Sequence, residues 1–518
     1  MKRRENLILL CVTALCFLLI SFLSFQRSYF GFGTETDYLG GFLPEAQRII
    51  QREPLLLEFH PPLYSIFLAL VQTMTQEWLR TGLLISLAAS AVALVTNFWF
   101  FYRLLGIYAG WGALLGLIAS DQFIQYSAYA TSDIFSFALY SICLLLSILA
   151  VQKKLGWLWI LCGLAVGSLL LTRTNGITCL FIAVLPFWSN SSFKQKFNDF
   201  LYFGCGLLIP LLSWAFYASF SGSQLTPAGT YANFALTYFS DSSDRISGDA
   251  RVQVEEKFDS LISVLSYDPI HIAKTYLRDL FSLGYKMAGM LQHPLNLFVL
   301  IGIFSSLKKR PREQKLCVFY IILTLLQVLL INFKAYEARY FLFFLPILGV
   351  FVGEAFRYLI FLTSRQPIRR AAIGFCMTCA LFSIVLSYST AWEAVSLSTG
   401  ELADAVPKVQ ALGLSRVSVV ARKPHIAFYT DSTQLGFPDV ETIPELRCSL
   451  ETRSDSGDLL LYFGTQERSY RRQLKALSDP ETSPYWLEPI EQSTTPSLWV
   501  LYRYKPVTPL RIANSCRS

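Results

Sequence analysis

Long apolar runs recur along most of the chain, and short polar stretches separate them. About eleven of these runs approach the roughly 20 residues that an α-helix needs to cross a bilayer. The predicted spans are 7–25, 80–102, 107–128, 133–151, 156–172, 175–188, 199–220, 292–307, 316–332, 340–362 and 371–391. The pattern therefore predicts a polytopic α-helical membrane protein.

The composition and the placement of charge agree with this prediction. Hydrophobic residues make up 53% of the chain and charged residues only 15%, whereas a soluble protein carries roughly a quarter charged residues. If the N-terminus is cytoplasmic, every dense basic loop falls on the cytoplasmic side, as the positive-inside rule requires. These loops hold Arg103, 152–154, 194–196, 308–315 and 364–370. The net charge of +8 therefore needs no nucleic-acid partner.

The N-terminal apolar run also resembles a signal peptide in its basic start, "MKRR". The run is about 19 residues, longer than a usual signal-peptide core, and no clear small-residue cleavage site follows it. We therefore expect an uncleaved first span.

Three segments then lie outside: 26–79, 221–291 and everything after 391. In the first, apolar residues at helical spacing with Arg48 and Arg52 predict a helix in the plane of the membrane interface. A second short helix is expected over 62–78, and Pro61-Pro62 would supply its start.

The C-terminal part has a different character, because charged residues become frequent and balanced in sign. Four stretches read as strands, "RVSVVA", "HIAFYT", "DLLLYFG" and "SLWVLYRY", since they are rich in β-branched, apolar and aromatic residues. Two others, "GELADAVPKVQALG" and "ERSYRRQLKALS", read as helices. The sequence thus predicts a transmembrane domain over 1–391 and a small extracytoplasmic α/β domain over 392–518.

The cysteines divide between these two parts. Of the 11 cysteines, those in the predicted spans read as small buried hydrophobic residues. Cys448 and Cys516 alone lie in the outer domain. We predict that they pair if that compartment is oxidising.

The predicted cytoplasmic loops are too short to hold a nucleotide-binding domain. The sequence contains no phosphate-binding loop of the G-x-x-x-x-G-K-[ST] type, and "GFG" at 31–33 is a glycine fragment in the wrong context. An enzyme of this kind would work at the outer face, and its activated substrate would reach that face most simply as a lipid.

Several ionisable and polar residues fall near that face. Ionisable groups at membrane depth are costly and by default mark a functional site. The candidates are Glu35, Asp37, Glu58, His60, Asp121, Asp133, Arg173, Lys334, Glu337, Arg339 and Tyr340. Acids together with several cations suit a phosphate-bearing lipid and a proton transfer.

Several of these candidates also have a simpler interpretation. Arg173 could extend to the lipid headgroups from a helix end, and Glu337 and Arg339 could simply pair with each other or with lipid headgroups. Asp133 could complement a helix dipole. His60 could bond a neighbouring backbone group, and Asp37 could be an ordinary solvated acid.

Five motifs occur in a specific order: "ETDYLGGFLPEA", "HPPLY", "YSAYATSDIFSFALY", "GLAVGSLLLTRTNG" and "EARYFLFFLPIL". Together they resemble the GT-C superfamily of membrane glycosyltransferases, in particular the branch with protein O-mannosyltransferases and lipid A aminoarabinose transferases. The resemblance covers roughly residues 1–390. It implies a GT-C-like fold and transfer of a hexosyl or pentosyl group, with inversion, from a polyprenyl-phosphate donor.

The resemblance also implies an outward-facing cavity, a bacterial inner membrane, and a lipid, glycan or protein acceptor. Transfer needs a base for the acceptor hydroxyl, and we expect Asp37 to serve, with Glu35 as its rival. Cations would stabilise charge on the leaving phosphate. The expected phosphate contacts are His60, Arg173, Arg339 and Lys334, and the other expected cavity residues are Tyr64, Asp133, Glu337 and Tyr340.

Two departures from the family concern metals. Some relatives carry paired acids in the first loop, where this chain has Thr36 between Glu35 and Asp37. Some use an acid before the basic residue of the Pro-Pro motif as a metal ligand, and this chain has Phe59 there. No metal ligand or cofactor is therefore assigned, and a role for a divalent cation stays open.

Two other classes of function fit a chain of this type. One is a transporter or flippase of a lipid-linked sugar, although such proteins tend to show inverted repeats and none is visible here. The other is a membrane scaffold whose outer domain binds a partner protein.

Overall fold

The computed structural model describes residues 3–33, 35–57, 60–188, 192–227, 230–239, 248–307, 314–332, 337–362, 365–413, 417–453, 458–495 and 497–506. They form helices α1 (Arg3–Phe25), α2 (Glu35–Asp37), α3 (Leu43–Gln51), α4 (Leu63–Thr75), α5 (Trp78–Leu105), α6 (Ile107–Ile118), α7 (Asp121–Ala128), α8 (Ser132–Lys153), α9 (Gly156–Leu170), α10 (Leu185–Trp188), α11 (Phe193–Ser221), α12 (Thr230–Phe239), α13 (Gly248–Lys257), α14 (Leu261–Tyr267), α15 (Pro269–Ala288), α16 (Leu295–Leu307), α17 (Gln314–Asn332), α18 (Leu345–Phe361), α19 (Gln366–Ala411), α20 (His425–Tyr429), α21 (Ile443–Glu451) and α22 (Thr465–Tyr470). A π-helical turn covers Tyr38–Phe42, and 3₁₀ segments cover Thr174–Val184, Ala338–Phe344, Arg472–Ser478 and Pro480–Thr482.

The chain divides into two compact units, each built from separate parts of the sequence. The first unit comprises Met1–Gln26, Gly41–Ala228 and Ala273–Val395. The second unit comprises Arg27–Gly40, Gly229–Ile272 and Ser396–Ser518. The first predicted outer loop is therefore shared between the units. The predicted domain limits at 391 and 392 remain predictions.

The protein is an integral membrane protein. Within the described residues, six helices are long and apolar enough to cross a membrane, or seven if the bent pair α6 and α7 counts as one span. Shorter apolar helices stand at four of the predicted spans: Gly156–Leu170, Thr174–Trp188, Leu295–Ser306 and Lys315–Ile331. The predicted count of about eleven spans is therefore not confirmed. An apolar run in the sequence can continue beyond the end of the helix that it contains, as it does at the turn that follows α9.

Glycines bring α6 and α18 into close contact. Gly112 and Gly116 on α6 face Gly349 and Gly353 on α18, each pair spaced four residues apart on one helix face. A Cβ added to Gly112 would lie 2.3 Å from the Gly349 carbonyl oxygen, and one added to Gly349 would lie 2.2 Å from the Gly112 carbonyl oxygen. Small residues at this spacing let two membrane helices approach backbone to backbone. Because α18 directly follows the Ala338–Phe344 segment, this contact also helps to fix that segment.

The second unit contains a five-stranded sheet in the order β2-β1-β3-β5-β4. Its strands are β1 (Ser418–Ala421), β2 (Thr433–Gly436), β3 (Leu459–Phe463), β4 (Leu487–Ser493) and β5 (Trp499–Tyr504). Strand β1 is parallel to β2 and β3, and β5 is antiparallel to β3 and β4. Successive residues of a strand point to opposite faces, so Leu461 and Phe463 join one apolar core and Leu460 and Tyr462 join the other.

The predicted α/β character of the C-terminal part is present, but one strand prediction is wrong and the predicted helix "ERSYRRQLKALS" is divided into α22 and the 3₁₀ segment Arg472–Ser478. The stretch "HIAFYT" is the short helix α20 rather than a strand, because Pro424 precedes it in a helical backbone conformation. A short apolar run does not by itself distinguish strand from helix. The predicted helix around Pro407 lies within α19, and strands β2 and β4 were not predicted.

The cysteine prediction is met at one of its two positions. Cys448, on α21, is disulfide-bonded. Its predicted partner, Cys516, lies outside the described residues, so the pairing itself stays a prediction. Nine cysteines among the described residues are free.

Candidate active site

Asp133 lies at the start of α8 and is capped by its neighbour. The Thr131 hydroxyl accepts a hydrogen bond from the Asp133 backbone N–H at 3.1 Å and donates one to Asp133 Oδ2 at 2.7 Å. The residue is 4% exposed. This position complements the helix dipole, as the simpler interpretation expected. The carboxylate also has charged partners, however, so the dipole is only part of its environment.

Two arginines from distant parts of the first unit meet at this carboxylate. Arg173, in the turn after α9, donates from Nη1 to Asp133 Oδ1, and Arg339 Nη1 lies 3.7 Å from Asp133 Oδ2. Their side chains are only 14% and 10% exposed. Arg173 is therefore a partly buried ion-pair partner, not a side chain extended to the lipid headgroups. Asp133 therefore has two guanidinium partners in the described structure.

Glu337 and Tyr340 complete the group around Arg339. Glu337, whose side chain is half exposed, pairs with Arg339 Nε, so the pairing expected from the simpler interpretation is present. The Tyr340 ring centroid lies 5.2 Å from Arg173 Cζ and 5.1 Å from Arg339 Cζ. A ring this close to two cations attracts both through its negative face. We call Asp133, Arg173, Arg339 and Tyr340 the arginine cluster.

A small cavity of about 30 Å³ adjoins the arginine cluster. It has room for about two water molecules, since one needs roughly 10–15 Å³. Asn175 and Gln327 line this cavity. Neither residue was among the site residues predicted from the sequence. Gln327 is buried on the apolar helix α17 and accepts a hydrogen bond from the Thr178 hydroxyl. A lone amide inside an apolar helix was the available signal.

A second cavity of about 1550 Å³ begins beside the first one. Tyr140 and Phe343 line both cavities, and the larger continues to Arg103, Gln152 and Glu354. From Tyr140 to Gln152 it follows α8 for about 18 Å, at 1.5 Å per helical residue. Apolar and aromatic side chains form most of its wall. Its volume exceeds the roughly 300–1,000 Å³ of a usual small-molecule site, and its shape suits a long apolar chain.

The "HPPLY" segment packs near the arginine cluster. His60 stacks on Phe42 with ring centroids 4.2 Å apart, and Tyr64 meets the same ring edge-on at 4.9 Å. The Leu63 backbone N–H donates to the Leu171 carbonyl oxygen at 2.8 Å, two residues before Arg173. Helix α4 begins directly after Pro62, as predicted. The segment that carries His60 and Tyr64 is thus tied to the turn that carries Arg173.

The first-loop acids Glu35 and Asp37 belong to the second unit. Glu35 is fully buried and accepts two hydrogen bonds from Arg27, at 2.5 and 2.6 Å, and a third from the Gly31 N–H. These contacts favour a structural role for Glu35 over a role as a proton acceptor. Asp37 is half-buried at the end of α2. Lys334, Glu58 and Phe59 lie outside the described residues.

The described residues show no metal site. Within those residues, no group of three or more His, Cys, Asp or Glu side chains could hold a metal ion. The buried carboxylates of Asp133 and Glu35 already bond to arginines. We therefore derive no step through a metal.

The fold was compared with known proteins. No protein-family model matches the chain, and no curated protein matches its sequence. Among solved structures, it is similar to ArnT from Cupriavidus metallidurans bound to undecaprenyl phosphate, with 11% identity, coverage of 97% of this chain and 98% of that chain, and a TM-score of 0.55.

It is also similar to the archaeal oligosaccharyltransferase AglB from Archaeoglobus fulgidus in complex with an inhibitory peptide and a dolichol-phosphate. The identity is 12%, with 89% of this chain and 70% of that chain covered, at a TM-score of 0.56. The Archaeoglobus fulgidus oligosaccharyltransferase in complex with Zn and sulfate also matches, with 12% identity, coverage of 95% and 73%, and a TM-score of 0.53. The chain therefore has the fold of the GT-C glycosyltransferases.

Proposed function

We propose that this protein is a glycosyltransferase that moves a sugar from a polyprenyl-phosphate donor to an acceptor at the outer face of a bacterial inner membrane. The observation that carries the proposal is the arginine cluster, with two guanidinium groups converging on one buried carboxylate beside a large apolar cavity. Partly buried cations suit a phosphate, and an apolar cavity suits a lipid chain. The two similar structures that hold undecaprenyl phosphate and dolichol-phosphate support the same assignment.

The arginines serve the leaving group. In the donor, the phosphate bridges the sugar and the polyprenyl chain and carries one negative charge. When the sugar–oxygen bond breaks, the phosphate gains a second negative charge. Guanidinium groups form strong bidentate bonds to phosphate oxygens, and donors fixed in a partly buried site stabilise developing charge more than water does. Arg173 and Arg339 fill this role, with His60 and Lys334 as further proposed phosphate contacts.

The sugar moves in one displacement. The acceptor hydroxyl oxygen attacks the anomeric carbon, Asp37 takes the hydroxyl proton, and the bond from that carbon to the phosphate oxygen breaks. The products are the glycosylated acceptor, which is a lipid, a glycan or a protein, and free polyprenyl phosphate. A single attack from the opposite face inverts the anomeric centre. The chain of the donor occupies the 1550 Å³ cavity.

The test uses the full-length protein reconstituted in vesicles with polyprenyl-phosphate sugars and a membrane extract as the source of acceptors. We expect time-dependent release of free polyprenyl phosphate together with a labelled product, both lost in Arg339→Gln. A parallel reaction with a chelator tests whether a divalent cation takes part. Movement of the donor across the bilayer with its sugar–phosphate bond intact would refute the proposal and identify a flippase.

A further inference from the structure

Within the second unit, the segment 27–40 packs against the C-terminal part of the chain. The side chains of Tyr29 and Phe32 lie on the apolar core that includes Val419 and Trp499. The Phe32 N–H donates to the Ser398 carbonyl oxygen at 3.1 Å. Packing is close at Gly31, because a Cβ added there would lie 2.5 Å from Ser398 Oγ. The segment is therefore part of the folded C-terminal core, not a loop lying on it.

Helix α20 holds two consecutive residues of this segment through one pair of side chains. The hydroxyl of Tyr429 accepts a hydrogen bond from the Phe30 N–H at 2.7 Å, and His425 Nε2 donates to the Gly31 carbonyl oxygen at 2.9 Å. His425 and Tyr429 are four residues apart, so they share one face of the helix. The side chains of Tyr429 and His425 therefore each form one hydrogen bond with the backbone of the segment.

The protonation of His425 follows from its surroundings. His425 is fully buried, and this burial lowers its pKa to about 3. It is therefore neutral near pH 7. Because a carbonyl oxygen faces Nε2, the single proton of the neutral ring is on Nε2. The ring acts as a fixed donor of one hydrogen bond.

A second set of contacts links these residues to Asp37. Glu35 accepts from the Gly31 N–H at 2.5 Å while Arg27 holds both of its oxygens. Tyr38, next to Asp37, is fully buried and packs on Phe30 with ring centroids 4.9 Å apart. The backbone on both sides of Asp37 is therefore tied to Phe30 and Gly31, the two residues that α20 holds.

We infer that His425 and Tyr429 are positioning residues that fix the backbone carrying Asp37, so that the C-terminal domain takes part in catalysis. This inference rests on the role of Asp37 in the proposed function. A displacement of about 1 Å at a reacting group can lower turnover by about 10²-fold. Loss of either hydrogen bond should therefore lower kcat while the KM for the donor stays near its original value.

The experiment compares three variants of the full-length protein. His425→Leu removes the donor, His425→Gln keeps an N–H near the position of Nε2, and Tyr429→Phe removes only one hydroxyl. We expect kcat to fall roughly 10- to 100-fold in His425→Leu, less in Tyr429→Phe, and to recover largely in His425→Gln. Hydrogen exchange at the Phe30 and Phe32 amides should accelerate in His425→Leu and in Tyr429→Phe.

Leu446→Ala is the matched control, because Leu446 is fully buried in the core on the other face of the sheet. It should lower the midpoint of thermal unfolding by leaving a cavity in the core, without changing kcat or the hydrogen exchange of the Phe30 and Phe32 amides. Unchanged kcat and exchange in both His425→Leu and Tyr429→Phe would overturn the inference, as would an equal loss of kcat in Leu446→Ala. Full activity in Asp37→Asn would overturn both the assignment of Asp37 and this inference. Loss of activity in Asp37→Asn together with unchanged kcat in the α20 variants would overturn this inference alone.

Discussion

Replacement of Arg173 by glutamine separates the catalytic use of the arginine cluster from its structural use. Arg173 makes the closest charged contact to Asp133, which is only 4% exposed, and Arg339 stays 3.7 Å from the other carboxylate oxygen. Removing one partner of a buried ion pair costs about 3–5 kcal/mol. Because Arg339 and Thr131 remain, we expect a cost near the lower limit. Loss of a phosphate contact should also lower kcat by about 10²–10³-fold.

A double-mutant cycle distinguishes these two effects. Asp133→Asn/Arg173→Gln removes both charges of the closest pair, and Arg339 keeps Glu337 as a partner. Most of the stability lost in Arg173→Gln should therefore return. Turnover should not return, because the phosphate contact is still missing. The assays are the midpoint of thermal unfolding in detergent and the release of polyprenyl phosphate. Arg278→Gln is the control, since that side chain is 74% exposed in a surface pair of the kind that contributes about 0–1 kcal/mol. Recovery of both stability and full turnover in the double variant would refute a catalytic role for Arg173.

Asp37→Asn should keep folding and donor binding but lower turnover by about 10²–10⁴-fold, whereas Glu35→Gln should mainly lower stability; the reverse result would make Glu35 the base. Leu144→Trp, which narrows the large cavity, should raise the KM for a long polyprenyl donor more than for a short-chain analogue, and equal effects would place the chain elsewhere. Burial raises the pKa of Glu467 from 4.5 to about 7. The folded state therefore binds the extra proton, and stability should fall by about 3 kcal/mol as the pH rises from 4.5 to 7. Glu467→Gln should abolish that slope in chemical denaturation, and an unchanged slope would contradict the assignment.

The sequence was sufficient wherever the cause is local. Apolar runs predict membrane helices because an unpaired backbone group in lipid is costly and only helices or closed barrels satisfy it. Arg173, Arg339 and Asp133 were predicted as site residues because charged side chains near apolar segments are also costly. The start of α4 after Pro62 is also local, since proline fits the first turn of a helix.

The sequence was insufficient where one segment depends on another. The number of membrane spans depends on where each helix ends, and at some helix ends the apolar residues continue into the following turn. The stretch from His425 to Tyr429 reads as a strand by its residues, yet it is a helix next to a strand of a sheet. A run this short carries too little periodicity to decide between the two.

The partners of the charged side chains were decided by tertiary structure alone. Arg173 and Arg339 are far apart in the chain and meet Asp133 only after α8, α9 and the Ala338–Phe344 segment have packed. Glu35 and Asp37 are two residues apart and look alike in sequence, but Arg27 and the Gly31 N–H surround Glu35 and bury it. The sequence thus singled out charged side chains next to apolar segments, whereas packing decided which of them neutralise one another. The physical reason is that an ion pair forms only between groups that the fold brings within a few ångströms.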